Sequence, residues 1–246
     1  VGFTYLTSHG RFIGKLEPAL SRNAPLRRAQ YTAATDSSRC EAITRKIVTA
    51  KLVNQRTFLM RARRAHPNSP SSPLDDAIIT IKQQEETLTS ERKLTVDQIR
   101  GLEGAGAAAY FGAFDALVRA DGFTFHRRVR RPATDPVNAL LSFGYTLLFN
   151  EALSALQIVG LDPYIGFLHD DREGRASLAL DLMEEFRSLV VDSLVLVLLT
   201  KQMLAPDDFE TQIGGGVILK PEPKKTVLRQ YEARIMTEVQ HPIAGY

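Results

Sequence analysis

Helical periodicity dominates this chain from residue 21 onward and constrains its fold more than any other feature. Apolar residues recur there at three- and four-residue spacing, as they do along one face of an α-helix. The pattern predicts helices over 26–34, 39–65, 74–92, 95–120, 136–158, 176–203 and 224–239. Residues 2–6 and 10–16 alternate as strands do, and a short strand follows the glycines at 214–216. The prediction is a mainly α fold, in which a helical domain (21–246) follows the last strands of a small β-strand domain (1–20).

Polar side chains at two predicted helix starts support these boundaries. Thr95 and Gln98 stand three residues apart, as in a capping box, where each side chain binds a free backbone N–H group. Asp135 followed by Pro136 predicts a second helix start. The run PNSPSSP at 67–73 predicts a linker between helices.

Composition excludes several classes of protein. Hydrophobic residues make up 44% of the 246 residues, which excludes a disordered chain. The single cysteine, Cys40, excludes a disulfide framework and a cysteine-rich zinc site, and fits a reducing, cytoplasmic location. The most apolar run, 189–199, is interrupted by Asp192 and is shorter than a membrane span of ~18 residues, so we predict no membrane association. The first residues begin like the middle of a strand, without a signal peptide, so we expect a piece of a longer protein.

The formal net charge of +3 conceals a strong asymmetry along the chain. Residues 1–70 contain 13 Lys or Arg and 3 Asp or Glu, a net charge of +10, whereas 151–200 contain 3 and 9, a net charge of −6. A basic block predicts an anionic partner, most often a nucleic acid, although a long surface helix can also carry charge without a partner. Along 45–64, few acidic residues are available to pair with the lysines and arginines of that stretch. The predicted DNA contacts are Arg56, Arg61, Arg63, Arg64, Arg127, Arg128, Arg130 and Arg131.

Carboxylates and one histidine on separate segments form the candidate for chemistry. Glu103 lies on a helix otherwise rich in Gly and Ala, which a neighbouring helix can approach closely, and Tyr110 lies two turns further on the same face. His169 precedes a predicted helix, and Asp181 and Glu184 share one face of that helix. Such a mixed nitrogen and oxygen donor set suits Mg²⁺ or Mn²⁺. An ion of this kind could polarise a phosphoryl oxygen of a phosphodiester.

Purely structural roles remain open for the same residues at this point. Glu103 could pair with Arg100 on the surface of its own helix. Asp181 and Glu184 could form salt bridges with Arg175 or Arg187.

Several motifs, in order along the chain, resemble the CRISPR-associated endonuclease Cas1 family. The motifs are GRFIGKLEP, KIVTAKLVNQRTFL, LEGAGAAAYF, DPVNALLSFGYTLL, GFLHDDREGRASLALDLMEEFR and YEARIMTEVQHP. Together they cover nearly the whole chain, and the ordered set is far more specific than any one of them. The fold that this resemblance implies is a small N-terminal β-domain followed by a larger helical catalytic domain, of which this chain holds only the last strands and the helical part.

The resemblance implies a function and assigns roles to individual residues. Glu103, His169 and Glu184 would bind the metal ion, Asp181 would support the site or contact the ion, and Tyr110 would line the active site. The activity would be metal-dependent strand transfer, in which the 3′-OH of a prespacer attacks a phosphodiester at the leader–repeat junction, together with nicking of branched DNA. The implied partners are double-stranded and branched DNA, a second copy in a homodimer, and the small protein Cas2, which bridges two such dimers.

Two other functions remain consistent with the residues. The chain could be a catalytically silent DNA-binding subunit of the same kind of assembly, with structural carboxylates. It could also be an unrelated metal-dependent helical hydrolase that acts on a small phosphate ester.

Overall fold

The predicted helices account for most of the computed structural model, which describes residues 3–7, 11–16, 23–65, 73–91 and 93–237. Within these ranges the helices are α1 (Ala24–Thr35), α2 (Ser37–Ala65), α3 (Pro73–Ser90), α4 (Val96–Gly112), α5 (Pro136–Val159), α6 (Ser177–Met183), α7 (Ser193–Thr200) and α8 (Pro221–Ile235). The mainly α prediction is therefore confirmed. The last helix, predicted over 224–239, instead runs from Pro221 to Ile235, so it begins and ends a few residues earlier than predicted. Of the linker predicted at 67–73, Pro73 begins α3 and the rest lies outside the described residues.

Helices α2, α3 and α4 pack side by side and form one half of the core. Fully buried aliphatic side chains from all three helices meet there, among them Leu52, Ile81 and Ile99. Gly106 lets α4 approach α2 closely, because a Cβ atom at this position would overlap Cδ2 of Leu52. The capping box predicted at the start of α4 is present, with Thr95 and Gln98 each accepting a backbone N–H group.

Helix α5 forms the centre of the other half of the core. Asp135 caps its first turn by accepting the backbone N–H of Asn138, as the sequence predicts. By length and composition alone, α5 could cross a membrane, since its most apolar window has a mean hydropathy of 1.3. Its buried residues, such as Leu140 and Leu141, pack against the other core side chains. The central helix of a globular core can be as long and as apolar as a membrane-spanning helix, so length and composition do not distinguish the two.

The segment predicted as one helix over 176–203 is interrupted. Helix α6 ends at Met183, a wide π-helical turn covers Arg187–Asp192, and α7 begins at Ser193. The turn directs Asp192 inward, where its carboxylate accepts hydrogen bonds from two tyrosine hydroxyls. Apolar periodicity does not reveal such a turn, because it adds only one residue to the helical repeat.

The helix predicted over 95–120 also ends earlier than expected. Helix α4 stops at Gly112, and a short 3₁₀ turn covers Phe114–Leu117. Here Phe114 enters the core against Phe125, with ring centroids 5.0 Å apart. The carboxylate of Asp115 accepts the backbone N–H of Phe125 and fixes the chain reversal.

Four short strands form two hairpins within the described residues. Strands β1 (Phe3–Leu6) and β2 (Phe12–Leu16) correspond to the two predicted strands, and they pair antiparallel. Strand β4 (Val217–Leu219), also predicted, pairs antiparallel with β3 (Phe209–Thr211), which was not. The glycines at 214–216 mark the start of β4, whereas no glycine run precedes β3, and three residues alone are too few to produce a recognisable alternation.

Candidate active site

The two predicted glutamate ligands meet at the ammonium group of Lys51. Glu103 lies on α4, Glu184 directly follows α6, and Lys51 lies on α2. Nζ of Lys51 lies 2.6 Å from Oε2 of Glu184 and also forms an ion pair with Oε1 of Glu103. Lys51 is only 4% exposed. Three separate helical segments thus bring two carboxylates to one cation position.

His169 faces the same position from the loop that precedes α6. Its Nδ1 lies 2.7 Å from Oδ1 of Asp181, and its Nε2 lies 3.9 Å from Oε1 of Glu184. An Nδ1–H that donates to Asp181 leaves the lone pair of Nε2 directed toward Glu184. This is the tautomer and orientation of a histidine that binds a metal ion through Nε2.

Asp181 is a support for His169, because all of its hydrogen-bonding capacity is already in use. The side chain is fully buried, and it accepts the backbone N–H groups of Phe167, Leu168 and His169 at 2.6–3.0 Å. Gly166 permits this tight loop, since a Cβ there would lie 2.7 Å from Cβ of Ser177 and 3.0 Å from Oδ2 of Asp181. Of the two roles expected for Asp181, the geometry favours orientation of His169 over direct contact with an ion.

The surroundings of Glu184 keep its carboxylate ionised. Burial alone would raise its pKa, but the positive charges of Lys51 and Arg187 outweigh burial and lower the pKa to about 2. Arg187 contributes through an ion pair of 3.0 Å to Oε1. Lys51 forms its ion pair with the other carboxylate oxygen, Oε2, which is buried.

A cavity of about 240 Å³ opens beside this cluster. Lys51 and Glu103 border it on one side, and positively charged side chains border it on the other. The small side chains of Ala107 and Ala108 leave the space open. The cationic lining consists of Arg128, Arg130 and Arg187, next to Tyr145. Such a cavity suits a phosphate group placed next to the carboxylates.

A buried carboxylate with two tyrosine partners lies next to this cavity. The hydroxyls of Tyr110 and Tyr145 donate to Asp192 at 2.7 and 2.6 Å. Burial raises the pKa of Asp192 to about 6. The guanidinium groups of Arg128 and Arg187 lie over the ring of Tyr145, at 5.3 and 5.1 Å from its centroid.

This arrangement changes the role expected for Tyr110. Its side chain is fully buried, and its hydroxyl is directed to Asp192 rather than toward the carboxylates. Tyr145 lines the cavity in its place. Tyr145 stands in the motif DPVNALLSFGYTLL, but the sequence analysis assigned it no role, because the motif alone does not show which of its side chains reaches the cavity.

The donor types fit a divalent cation, although the ligands are not yet spaced for one. Among the described residues, no three His, Cys, Asp or Glu side chains already form a group that could hold a metal ion. The donors nevertheless converge, because two carboxylates share one ammonium and Nε2 of His169 faces Glu184. The buried Oε2 of Glu184 is an oxygen ligand of the kind that such an ion prefers. The donor types of Glu103, His169 and Glu184 therefore fit Mg²⁺ or Mn²⁺.

Two of the salt bridges considered as purely structural roles for the acidic residues have different outcomes. Arg100 does not pair with Glu103 but binds Asp97 and Asp170, and its Nε donates to the carbonyl of Leu168. It thereby ties α4 to the loop that carries His169. The pairing expected between Glu184 and Arg187 is present.

The predicted DNA-contacting arginines divide into two groups. Acidic partners are scarce along α2 itself, but α3 supplies them: Arg56 pairs with Glu85 and Arg63 with Asp75. The guanidinium of Arg128 is held by Asn138 and Ser142. The remaining predicted contacts have exposed side chains: Arg61, Arg64, Arg127, Arg130 and Arg131.

Comparisons with known proteins point to one family. Residues 1–233 match the family described as "CRISPR associated protein Cas1". A CRISPR-associated endonuclease Cas1 of Chlorobaculum tepidum is 42% identical over 252 residues, which cover 100% of this chain and 72% of that protein.

Solved structures show the same fold. A casposase bound to an integration product superposes with a TM-score of 0.82 at 27% identity, covering 98% of this chain and 65% of the casposase chain. A chain of a partial Cas6-RT-Cas1–Cas2 complex superposes with a TM-score of 0.78 at 26% identity, covering 95% of this chain and 70% of that chain. This chain thus spans just under two thirds of the casposase.

Proposed function

Because this chain belongs to the Cas1 family of CRISPR-associated proteins, we propose that it is a metal-dependent DNA integrase and endonuclease of CRISPR adaptation. Its reaction would join the 3′-OH of a prespacer to the leader–repeat DNA. A new bond forms between the prespacer 3′-oxygen and the target phosphorus. The bond from that phosphorus to its original 3′-oxygen breaks, and the released oxygen takes up a proton.

One observation carries this proposal: two carboxylates from separate helices converge on one cation position, beside a cavity lined by arginines. Carboxylates that served only the fold would not need a cationic cavity next to them. A DNA phosphate requires both features, because its negative charge must be held while charge develops on its oxygens.

Each residue of the site has a distinct task in the proposed reaction. Glu103, His169 and Glu184 would hold Mg²⁺ or Mn²⁺, which when bound supplies Lewis-acid stabilisation of charge on the phosphoryl oxygens. Asp181 fixes the tautomer of His169 and directs its Nε2 toward Glu184. Arg187 touches Glu184 and lines the cavity, so it can position a phosphate against the carboxylates.

The remaining basic side chains supply the DNA-binding surface in this proposal. The exposed residues Arg61, Arg64, Arg127, Arg130 and Arg131 would contact phosphates. The other three predicted contacts already bind side chains of the protein, so they would stabilise the fold rather than bind DNA directly: Arg56, Arg63 and Arg128.

The proposed partners are DNA, a second copy of the chain and Cas2. They rest on the family membership, on the casposase that holds an integration product, and on the Cas1–Cas2 complex with the same fold. The division into a β-domain remnant (1–20) and a helical domain (21–246) belongs to the same proposal, as does the cytoplasmic location.

Replacing Glu184 by Ala tests the proposed reaction. The substitution removes one carboxylate ligand and leaves the basic surface intact, so strand transfer should fall at least 100-fold while DNA affinity changes less than threefold. The measurement is joining of a labelled 3′-OH DNA to a repeat-bearing duplex, with Cas2 and Mn²⁺ or Mg²⁺, beside a binding assay at fixed salt. Glu173→Ala, which removes an exposed carboxylate from the loop before α6, is the control and should retain activity.

Other outcomes would favour the alternative functions. DNA binding without metal-dependent strand transfer in the unaltered protein would indicate a silent DNA-binding subunit. Turnover of a small phosphate ester without affinity for DNA would indicate a hydrolase. Unchanged strand transfer in Glu184→Ala would remove Glu184 from the site.

A further inference from the structure

We propose that Lys51 is a built-in competitor of the metal ion, and that its ammonium must leave the carboxylates when the ion binds. The inference rests on the proposed metal-dependent function and adds a positioning residue to that site. In the absence of metal, Lys51 would hold the carboxylates of Glu103 and Glu184 together. The protein would thus keep its ligands close to their final places at the expense of metal affinity.

The contacts of Lys51 differ from those of an ordinary buried salt bridge, and the difference supports this role. A buried lysine on a helix normally needs one carboxylate to balance its charge. Lys51 contacts two, from two other segments of the chain, and both are the predicted ligands. These two carboxylates would repel each other without a cation between them, because Glu184 is buried and Glu103 is only partly exposed.

A divalent ion and the ammonium cannot share these oxygens. A Mg²⁺ ion bound to both carboxylates would lie roughly 2.0–2.1 Å from their oxygens. Nζ of Lys51 lies 2.6 Å from Oε2 of Glu184 and contacts Oε1 of Glu103, so the ion would need the space that the ammonium fills. The repulsion between a double and a single positive charge at such a distance is twice that between two single charges. Metal binding therefore requires Nζ of Lys51 to move away.

The structure offers Nζ a place to move. The cavity of about 240 Å³ is bordered by Lys51 and Glu103 themselves. A lysine side chain has a flexible four-carbon stem, so its ammonium can turn from the carboxylates into this space without movement of α2. There it would lie near Arg130 and Arg187, which line the cavity and which we assign to phosphate binding.

Lys51→Met tests the competition, because methionine keeps most of the length and removes the charge. We expect metal-free Lys51→Met protein to melt at a lower temperature than the unaltered protein, and to bind Mn²⁺ at least tenfold more tightly in the absence of DNA. Added Mn²⁺ should therefore raise its melting temperature more than that of the unaltered protein. Titration calorimetry and thermal unfolding give both readouts without an activity assay.

Lys46→Met is the matched control, since Lys46 is exposed on the same helix. It should leave the Mn²⁺ affinity and the melting temperature unchanged. Equal Mn²⁺ affinity in the unaltered protein and in Lys51→Met would overturn the inference and leave the proposed metal site standing. Absence of Mn²⁺ binding in both would overturn the metal site and the inference together.

A second measurement covers the case in which Lys51→Met does not fold. Acetylation of the unaltered protein by an amine-reactive ester, read by mass spectrometry, should find Lys51 protected without metal. Saturating Mn²⁺ should increase its reactivity several-fold, whereas Lys46 should react equally in both states. Unchanged protection of Lys51 in protein shown to bind Mn²⁺ would overturn the displacement.

Discussion

At the scale of single residues, the buried carboxylate of Asp192 makes stability depend on pH. It is almost completely buried, and two tyrosine hydroxyls donate to it. Burial raises its pKa from 3.8 to about 6, in spite of the tyrosine hydrogen bonds and the nearby arginines that lower it. Between these two pKa values the folded protein binds more protons than the unfolded chain, so the contribution of Asp192 to stability is lost as the pH rises through about 6.

Asp192→Asn should remove this pH dependence, because the amide keeps the shape and cannot ionise. Relative to the unaltered protein, the variant should gain up to roughly 3 kcal/mol in free energy of unfolding between pH 4 and pH 7. Urea unfolding at a series of pH values measures the difference. Asp207→Asn changes an exposed aspartate and should show no such gain. A constant difference between Asp192→Asn and the unaltered protein across this range would contradict the raised pKa.

The residues of the candidate site differ in how far the sequence could reveal them. Glu103, His169 and Glu184 stand in distinctive motifs, and the structure brings them toward one position, although their role as ligands stays a prediction. Lys51 looks like any lysine of a basic helix. The available signal was its spacing, since it lies three residues after the buried Val48 and thus on the apolar face of α2.

At the scale of the elements, close packing of α2 against α4 sets the distance between Lys51 and Glu103. Gly106 permits this packing one turn beyond Glu103, where a side chain would overlap Leu52. Gly104 lies on the same helix with open space around it. The two glycines therefore separate the effect of packing from that of helix propensity.

Gly106→Ala should destabilise the protein by about 1–3 kcal/mol, as overpacked core substitutions do. Gly104→Ala should instead stabilise it by roughly 0.5–1 kcal/mol, because alanine is the better helix former. Thermal unfolding of both variants provides the comparison. No loss of stability in Gly106→Ala would show that α2 and α4 are further apart than described, and a loss in Gly104→Ala would show that the space around Gly104 is occupied.

The elements that the sequence predicted well share a physical feature. Helices α2, α3 and α5 have long amphipathic or apolar patterns and clear polar or proline punctuation, so their ends fall within about two residues of the prediction. The break between α6 and α7 depends on which partners Asp192 finds in the folded core. Local sequence carries no record of those partners, because Tyr110 and Tyr145 lie 82 and 47 residues away.

At the scale of the whole molecule, the basic block predicted an anionic partner, but the fold neutralises part of that block internally. Arg56 and Arg63 of α2 turn toward acidic residues of α3. Arg61 and Arg64 of the same helix remain exposed. A count of charges along the chain therefore overestimates the charge that DNA would meet, and neighbouring arginines should make different contributions.

Arg64→Gln and Arg63→Gln should separate these contributions. Each phosphate contact releases counterions, so loss of the exposed Arg64 should weaken DNA binding equally for all sequences and reduce the slope of log K against log salt by about one. Its stability should change by less than about 0.5 kcal/mol. Arg63→Gln breaks a partly exposed ion pair with Asp75, so it should cost up to about 1 kcal/mol of stability and leave the salt slope nearly unchanged. Binding measured from 50 to 300 mM salt, with urea unfolding of the same samples, tests both expectations.

Equal salt slopes for the two variants would mean that pairing with α3 does not keep Arg63 from the DNA. A change in sequence preference in Arg64→Gln would mean that this side chain reads bases rather than phosphates.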